Sequence, residues 1–313
     1  MSPVAQLRTE LTALCVALER VAPHIEARED IKRCRQLWRL VHRACPDGEK
    51  EILVRALSGE LMPLAERSRT LAQSLESALE RRSAQQLLER PAPLSVAFHL
   101  SGGGSDEARQ RAFESLLHGY PMAWAVPRYT AELELLRRLD GPPKTGRIVA
   151  IGPSAIPFTA VFFSCLRGFS VTYFDPHPES LELGLRFIAR LEELAILPRG
   201  AVQARPISTS AALDPLPPCD AAFIIDQRTP HRHWLAELAR LRAPLIFCRG
   251  AVALAGIIYQ PLMSADVDAS LELVGETIPA HASGFSRGAP VQVDIPSSAV
   301  FLTTSAYRLR TVA

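Results

Sequence analysis

Apolar residues recur at every third or fourth position through the first part of the chain. Leu7, Leu11, Leu14 and Leu18 follow this spacing. Such a period is typical of amphipathic helices, and the prolines that interrupt it divide the run into separate helices. The pattern predicts that residues 1–90 are helical, either as a cap on a second domain or as a face for another copy of the chain.

The pattern changes at Arg147, where short β-rich runs begin to alternate with amphipathic helices. Five of these runs are predicted strands: RIVAIG, SVTYFD, AVQARPIS, CDAAFIID and APLIFCRGA. Helices are predicted from about Pro178 to Leu194 and from about His231 to Leu241. An alternation of strands and helices indicates a parallel sheet with helices on both faces.

Two late β-rich runs, LELVGETIP and AVFLTTSAYRL, predict a closing pair of strands joined by a hairpin-like loop. Five parallel strands and an antiparallel pair are the order of a class I methyltransferase. We therefore predict an α/β protein with a Rossmann-like class I methyltransferase fold, a mostly parallel seven-stranded sheet and an N-terminal α-helical cap domain. Residues 1–104 are the predicted cap and linker, and residues 105–313 are the Rossmann-like domain. Residues 1–90 are expected to close over the ligand site.

Charge and cysteine spacing exclude several classes of function. The 313 residues carry 35 Lys+Arg and 33 Asp+Glu, and this net charge of +2 gives no reason to expect a nucleic acid or an anionic membrane as partner. No C-x-x-C pair occurs, and His231 and His233 lack a third zinc ligand, so we expect no metal and place both histidines at the surface. Without a signal-peptide pattern or a transmembrane run, we expect a cytoplasmic protein that acts on a small molecule.

A strand, a glycine and a helix follow one another in IVAIGPSAIPFT, around Gly152. In a doubly wound sheet the ligand lies at the carboxyl ends of the strands, and glycine lets the backbone approach it. Since only Gly152 remains of a G-x-G-x-x-G pattern, a pyrophosphate site and NAD are disfavoured. Asp175 ends the next strand, where a carboxylate accepts hydrogen bonds from ribose hydroxyls; the alternative is that Asp175 only caps the following helix.

The loops after the next two strands carry further candidate residues. Ile207 and Ser208 are expected to flank an adenine. Asp226 and Gln227 follow a buried run and are expected to face the reacting centre, where the carboxylate of Asp226 could pair with an ammonium group. The alternative for Asp226 is a pair with Arg228 or the cap of a turn.

Four segments, in order, resemble nicotianamine synthases. IVAIGPSAIPFT resembles their Ile-Gly-Ser-Gly-Pro-Leu-Pro-Leu-Thr stretch, and YFDPHPESL resembles their Asp-Ile-Asp-Pro segment. APLIFCRGAVALAGIIYQP is similar to their run from Leu-Val-Val-Arg to Phe-Leu-Tyr-Pro, with Arg249, Gly250, Tyr259 and Pro261 in register. DIPSSAVFL resembles their closing strand. The resemblance covers about residues 120–305.

This resemblance implies S-adenosylmethionine as a substrate, used in an unusual way. Nicotianamine synthases transfer its 3-amino-3-carboxypropyl arm to an amine and release methylthioadenosine. Their relatives include opine-metallophore synthases and azetidine-2-carboxylate synthases, in which the arm closes on its own amine. The chain departs from the family where an acceptor would bind. The family's Asn-Tyr is Arg128-Tyr129 here, and the aromatic and acidic residues around it are thinned to YPMAWAVPRY. Ser154 stands where the family has the second glycine of the nucleotide loop.

The departure favours cyclisation to azetidine-2-carboxylate, an activity of secondary metabolism. The alternatives are transfer to an acceptor amine, a plain small-molecule methyltransferase and a non-catalytic helical interaction protein. A homodimer is possible. In the implied site, Tyr129 lies against the sulfonium, and Gly152, Pro153 and Ser154 lie beside the amino-acid part of the substrate. Asp175 and Pro176 lie at the ribose, and Ile207 and Ser208 flank the adenine. Asp226 and Gln227 lie near the reacting amine, with Ser297 and Ser298 as weaker candidates for the lining there.

Tyr129 and Asp226 are the candidate catalytic residues. An aromatic face suits a sulfonium, which is a cation without hydrogen-bond donors. The alternative for Tyr129 is that it begins the helix TAELELLRRL and packs its ring on the helical cap.

Overall fold

The computed structural model of the chain describes residues 2–20, 47–89, 125–141, 146–152, 155–207, 213, 216–227, 229–251, 261–262, 266–279, 291–295 and 302–310. The helices within them are α1 Pro3–Glu19, α2 Asp47–Leu57, α3 Met62–Glu89, α4 Ala125–Asp140, α5 Phe158–Arg167, α6 Pro178–Glu193 and α7 His231–Arg240. The strands are β1 Arg147–Ile151, β2 Ser170–Asp175, β3 Val202–Pro206, β4 Ala221–Ile224, β5 Ile246–Ala251, β6 Leu271–Pro279, β7 Val291–Ile295 and β8 Leu302–Leu309.

Two compact units make up the chain. One consists of Met1–Leu79 with Gly250–Leu262, and the other of Glu80–Arg249 with Met263–Ala313. The predicted domain boundary at residue 104 lies outside the described residues and stays a prediction, as does the closing of the N-terminal helices over a ligand.

The part of the first unit that comes from Met1–Leu79 forms helices joined by turns where the structure describes it, as its apolar period predicts. Ser2 caps α1 by accepting a hydrogen bond from the Ala5 amide, and the buried face of α1 packs against α2. Arg8 and Glu60 form an exposed ion pair at 2.7 Å. Because such pairs contribute little, the apolar face of α1 does most to stabilise these helices.

The second unit contains a sheet of eight strands in the order β3-β2-β1-β4-β5-β8-β6-β7. The first five strands are parallel, as predicted, and β6 pairs with β8 in antiparallel orientation. This is the Rossmann-like fold of S-adenosylmethionine-dependent methyltransferases.

Strand β7 corrects the predicted count of seven strands and the predicted hairpin. Val291–Ile295 lies between β6 and β8 in the sequence and pairs with β6 in parallel, so the two late strands are not joined by a simple hairpin. A run of five residues gives a weak periodic signal, and only the long-range pairing identifies it as a strand.

Amphipathic helices cover the sheet because their apolar residues share one face. Helix α6 begins with Pro178, has Glu179 in its first turn, and buries Leu181, Phe187 and Leu191. The acidic first turn and Arg190 in the last turn both suit the helix dipole.

Aromatic rings pack α5 onto the central strands, in the same core cluster as Phe187 of α6. Phe223 of β4 lies parallel to Phe247 of β5 with ring centres 4.5 Å apart, and Phe163 of α5 contacts Phe223 at 5.0 Å. Buried aromatic pairs of this kind fix the position of a helix on its sheet. They hold α5, and thus the loop that precedes it, above the end of β1.

Helix α4 begins earlier than its predicted start at Tyr129 and packs against β6 and β7. Within the described residues, no helix is long and apolar enough to cross a membrane. Those residues also hold no group of three or more His, Cys, Asp or Glu side chains that could bind a metal ion.

Candidate active site

The carboxyl ends of four parallel strands meet at one edge of the sheet, and backbone hydrogen bonds join them there. The Gly152 amide donates to the Phe174 carbonyl at 2.8 Å, and the Asp226 amide donates to the Ile151 carbonyl at 3.0 Å. The Ile207 amide donates to the Asp175 carbonyl at 3.2 Å. The structure therefore brings Gly152, Asp175, Ile207 and Asp226 to the same edge, where ligands of doubly wound sheets bind.

The backbone and packing of the protein itself require a glycine at position 152. Its φ is +75°, and a Cβ placed on it would lie 2.2 Å from the Cβ of Asp226. The absence of a side chain lets the ends of β1 and β4 touch. The predicted reason for this glycine, close approach of a ligand, is thus accompanied by a structural one.

Asp175 is buried at the end of β2, with 2 % of its surface exposed. Its Oδ1 accepts a hydrogen bond from the His177 amide at 2.8 Å, so the carboxylate orders the turn that leads into α6. Pro176 is half-buried in this turn. The predicted alternative, a capping role, is therefore observed for one oxygen, and the ribose contact stays a prediction.

Substituting Asp175 separates these two roles. We expect Asp175→Asn to keep the turn, because an amide oxygen still accepts from His177, and to weaken binding of methylthioadenosine about 10- to 100-fold, since hydrogen bonds to a charged group are worth about 1.5–3 kcal/mol. Asp175→Ala should weaken binding and also lower stability. Calorimetry with methylthioadenosine measures the affinity.

The matched control for this substitution is Asp220→Asn. Asp220 is also buried, but it contacts the Arg147 amide at the opposite end of the strands. Unchanged affinity in a folded Asp175→Asn protein would reduce Asp175 to a structural residue.

The carboxylate of Asp226 is held in a fixed orientation. Its Oδ2 accepts hydrogen bonds from the indole of Trp234 at 3.1 Å and from the Thr229 amide at 3.3 Å. Asp226 therefore caps a turn, as its predicted alternative states, and it is 2 % exposed. Gln227 is half-buried beside it and donates to the Arg249 carbonyl at 3.0 Å.

His231 corrects the expectation that both histidines of this loop lie at the surface. His233 is exposed, but His231 is fully buried at the start of α7, and its Nδ1 has no hydrogen-bond partner among the residues that the structure describes. Burial lowers its pKa to about 4, although Asp266 and Asp226 act in the opposite direction. The imidazole is therefore neutral at physiological pH.

This burial makes stability depend on pH. The pKa of His231 in the folded protein, about 4, is below its ordinary value of 6.5. The buried neutral imidazole therefore makes its full contribution to the free energy of unfolding above pH 6.5, and this contribution is lost as pH falls toward 4. We expect the wild-type protein to lose about 2 kcal/mol more than His231→Gln between pH 7 and pH 5. Denaturant unfolding at both pH values measures this. His233→Gln is the control and should behave as wild type; an equal loss in all three proteins contradicts the prediction.

A buried ionic cluster joins four elements of the second unit. We define the Glu132 cluster as the side chains of Arg128, Tyr129, Glu132, Thr159, Arg249 and Thr304. Glu132 of α4 binds Arg249 of β5 through two hydrogen bonds of 2.7 Å, and both side chains are at most 2 % exposed. Thr304 of β8 donates to Glu132 at 2.6 Å, and Arg249 donates to Thr159 of α5 at 3.0 Å.

The electrostatics of the Glu132 cluster keep the carboxylate charged. Burial alone raises the pKa of Glu132, but the charge and hydrogen bonds of Arg249 hold it below its ordinary value. Burial lowers the pKa of Arg249, and the charge of Glu132 outweighs this and raises it. Each of the two buried charges is thus stabilised by the presence of the other.

Tyr129 lies inside this cluster. Its ring packs against Phe162 with centres 5.0 Å apart, and the guanidinium carbon of Arg249 is 5.1 Å from the ring centre. The side chain is 2 % exposed. The ring therefore packs against α5 of its own unit and already contacts a cation. Its packing on the helical cap, the predicted alternative, and the sulfonium contact both stay predictions.

Glu80 is a carboxylate near the site that the sequence interpretation missed. The Ile156 amide, in the loop between β1 and α5, donates to its Oε1 at 3.3 Å. No pattern in the long helix α3 distinguishes this glutamate from its neighbours. Glu132 gave a usable signal, because it lies among the apolar positions Leu133, Leu135 and Leu136 of α4.

Solved structures similar to this chain cover nearly its whole length. A crystal structure of the nicotianamine synthase MtNAS in complex with MTA and tNA is 17% identical, covers 98% of this chain and 98% of its own, and has a TM-score of 0.69. A Glu-to-Gln mutant of MtNAS in complex with S-adenosylmethionine is 16% identical to this chain. It covers 97% of this chain and 98% of its own, with a TM-score of 0.65. This chain has the fold of a nicotianamine synthase.

No protein-family model and no curated protein sequence matches the chain. The nicotianamine synthase fold thus rests on structure, and it agrees with the four sequence segments that resemble the family. Pro153, Ser154 and Ser208 of the predicted site lie outside the described residues, as do Ser297 and Ser298.

Proposed function

We propose that this protein uses S-adenosylmethionine as a substrate, directs an amine to Cγ of the methionine arm and releases methylthioadenosine. The main support is the likeness over nearly the whole chain to nicotianamine synthase structures that hold MTA or S-adenosylmethionine. The predicted ligand residues described by the structure also lie at the carboxyl edge of the sheet, or join it through Arg249 at the end of β5.

The proposed binding of the nucleoside follows from this edge. Asp175, with Pro176 in the same turn, holds the ribose through its carboxylate. Ile207 is buried at the end of β3 and, with Ser208, flanks the adenine. Gly152, Pro153 and Ser154 border the amino-acid part of the substrate.

The proposed reaction needs an unprotonated amine and correct geometry. The amine nitrogen forms a bond to Cγ while the Cγ–sulfur bond breaks, and the electron pair of that bond returns to sulfur. The sulfonium becomes a neutral thioether, and the amine gives up one proton. Alignment at near-attack distance supplies much of the acceleration, so fixed groups around the amine matter most.

Two carboxylates are suited to contact the reacting amine. Hydrogen bonds from Trp234 and Thr229 hold the carboxylate of Asp226, so its orientation does not need to change when an amine binds. Glu80 contacts the loop that borders the amino-acid part. We assign Asp226, with Gln227, to the amine and add Glu80 as a second candidate.

The product that we propose is azetidine-2-carboxylate, formed when the amine of the arm attacks its own Cγ. The loss of aromatic and acidic residues around Arg128 and Tyr129 supports this, because cyclisation needs no acceptor site. Transfer of the arm to a second amine is the runner-up, since the similar MtNAS structure contains tNA together with MTA.

Incubation with S-adenosylmethionine alone, followed by mass spectrometry, tests the proposal. Cyclisation yields methylthioadenosine and a four-membered amino acid without a second substrate. Transfer yields methylthioadenosine only when an amine acceptor is added. Release of S-adenosylhomocysteine would show a methyltransferase and overturn the proposal, and the absence of turnover and binding would indicate an interaction protein.

Tyr129 is the proposed sulfonium contact, and its substitution has a distinct outcome. We expect Tyr129→Phe to keep most binding of S-adenosylmethionine, because the ring remains, and to lower turnover, because the phenol oxygen is lost. Tyr129→Ala should lose both, since a cation–π contact is worth about 0.5–2 kcal/mol. Calorimetry with S-adenosylmethionine and with uncharged S-adenosylhomocysteine gives a ratio of affinities. If Tyr129→Ala lowers thermal stability but leaves that ratio unchanged, the ring is only part of the core.

A further inference from the structure

Asp226 is attached to the protein through both its backbone and its carboxylate. Its amide donates to the Ile151 carbonyl at 3.0 Å, and its Cβ lies so close to Gly152 that no side chain fits there. Its Oδ2 accepts from the indole Nε1 of Trp234 at 3.1 Å and from the Thr229 amide at 3.3 Å. The backbone contacts set where Asp226 lies, and the contacts of Oδ2 set how its carboxylate is turned.

Trp234 belongs to the buried face of α7, together with Leu235 and Leu238, and α7 packs against β4. None of its surface is exposed. The N–H of a buried tryptophan needs a hydrogen-bond partner, and here that partner is a carboxylate at the carboxyl edge of the sheet. Because its ring is fully buried, Trp234 can act on a ligand only through the residues that it contacts.

The indole N–H determines which oxygen of Asp226 faces an incoming amine. An indole only donates a hydrogen bond, and an ionised carboxylate offers about four acceptor positions over its two oxygens. Two donors, from Trp234 and Thr229, already meet Oδ2. An amine that reaches this carboxylate is therefore accepted by Oδ1.

We infer that Trp234 is a positioning residue for the reaction, because its indole N–H turns Asp226 so that Oδ1 accepts a hydrogen bond from the reacting amine. This inference rests on the proposed function, in which Asp226 contacts that amine. A hydrogen bond from one N–H of the amine directs the lone pair of its nitrogen toward Cγ, and the contact itself changes no covalent bond. Such alignment acts on the rate of the reaction, whereas the nucleoside is held at other strand ends.

Trp234→Phe separates the hydrogen bond from the packing, because it keeps an aromatic ring and removes the N–H. We expect kcat for release of methylthioadenosine to fall about 10- to 100-fold. The KM for S-adenosylmethionine and the Kd for methylthioadenosine should change by less than about 3-fold. Chromatography measures the release, and calorimetry measures the affinity. A residue that only fills the core would change the stability of the protein and leave kcat as in wild type.

A double variant shows whether Trp234 acts through Asp226. Asp226→Asn keeps an oxygen for the donors from Trp234 and Thr229 but turns an NH₂ group, which cannot accept, toward the amine. We expect its kcat to fall at least as much as that of Trp234→Phe. Adding Trp234→Phe to Asp226→Asn should lower kcat by less than about 3-fold more, because residues that act as one unit are not additive. Losses that multiply in full would overturn the inference.

The matched control is Tyr173→Phe, which also removes a polar atom from a fully buried ring. The Tyr173 hydroxyl has no hydrogen-bond partner among the residues that the structure describes, so this variant should keep the kcat of the wild type. Unchanged kcat in Trp234→Phe, or equal losses of kcat and of methylthioadenosine affinity, would leave Trp234 as a structural residue.

If Trp234→Phe does not fold, benzothienylalanine at position 234 replaces it in the same comparison, since this analogue has the shape of tryptophan with sulfur in place of the N–H. Wild-type protein that releases no methylthioadenosine overturns the proposed function together with this inference. An active wild type whose kcat does not depend on the indole N–H overturns the inference alone.

Discussion

Replacing Glu132 by alanine is expected to lower the free energy of unfolding by about 3–5 kcal/mol. The substitution leaves two buried guanidiniums without the carboxylate, and the loss of hydrogen bonds from Arg249 and Thr304 adds to the cost. Urea unfolding of the wild type and the variant measures the difference. The loss should exceed that of any other single charged residue discussed above, because no other described carboxylate here is both fully buried and bound by two hydrogen bonds from one arginine.

Two further variants show whether the effect is electrostatic. Glu134→Ala removes an exposed partner of Arg138 from the same helix and should cost less than about 1 kcal/mol. The double variant Glu132→Leu with Arg249→Met removes both ions of the pair and should recover part of the loss, since apolar residues replace a buried ion pair well. If Glu132→Ala and Glu134→Ala lower the free energy of unfolding by the same amount, the pair of Glu132 and Arg249 does not stabilise the fold.

Gly152→Ala is expected to produce the other large effect. Left-handed backbone costs a residue with a side chain about 1–2 kcal/mol. The new Cβ would also overlap Asp226, whose Cβ lies 2.2 Å from its ideal position. We therefore expect a larger total loss of stability, and loss of methylthioadenosine binding, because the ends of β1 and β4 must separate. Thermal unfolding and calorimetry measure the two effects.

Gly168→Ala isolates the backbone contribution. Gly168 caps the carboxyl end of α5 with φ +69°, and a Cβ built there has no neighbour within 4 Å in the part of the chain that the structure describes. This control should show the cost of the left-handed conformation alone and leave ligand binding intact. A Gly152→Ala protein no less stable than Gly168→Ala would mean that the contact with Asp226 relaxes easily.

The helices and strands were largely predictable because their signal is local. The apolar periods of α6 and α7 gave their bounds to within a residue, and the alternation after Arg147 gave five parallel strands. Each of these patterns is confined to a short window, where period 2 or 3.6 decides which face is buried. The short strand β7 had too few residues to produce such a pattern.

The candidate site was predictable only in part. Strand ends could be placed from the sequence, and since parallel strands end at one edge, Gly152, Asp175 and Asp226 were expected to lie together there. The sequence could not show that Asp226 binds Trp234 or that Asp175 orders its own turn. Those hydrogen bonds depend on side-chain orientations that the spacing of residues does not specify.

The sequence by itself therefore determined the class of fold and the edge of the sheet at which the candidate site residues meet, because both follow from local periodicity and from the geometry of parallel strands. Only the tertiary structure decided which charges are buried together. Glu132 and Arg249 are 117 residues apart in the chain, and His231 is buried although its neighbours in sequence are exposed. A long-range ion pair or a buried imidazole is stable only when packing removes water from around it, and that removal is a property of the assembled elements.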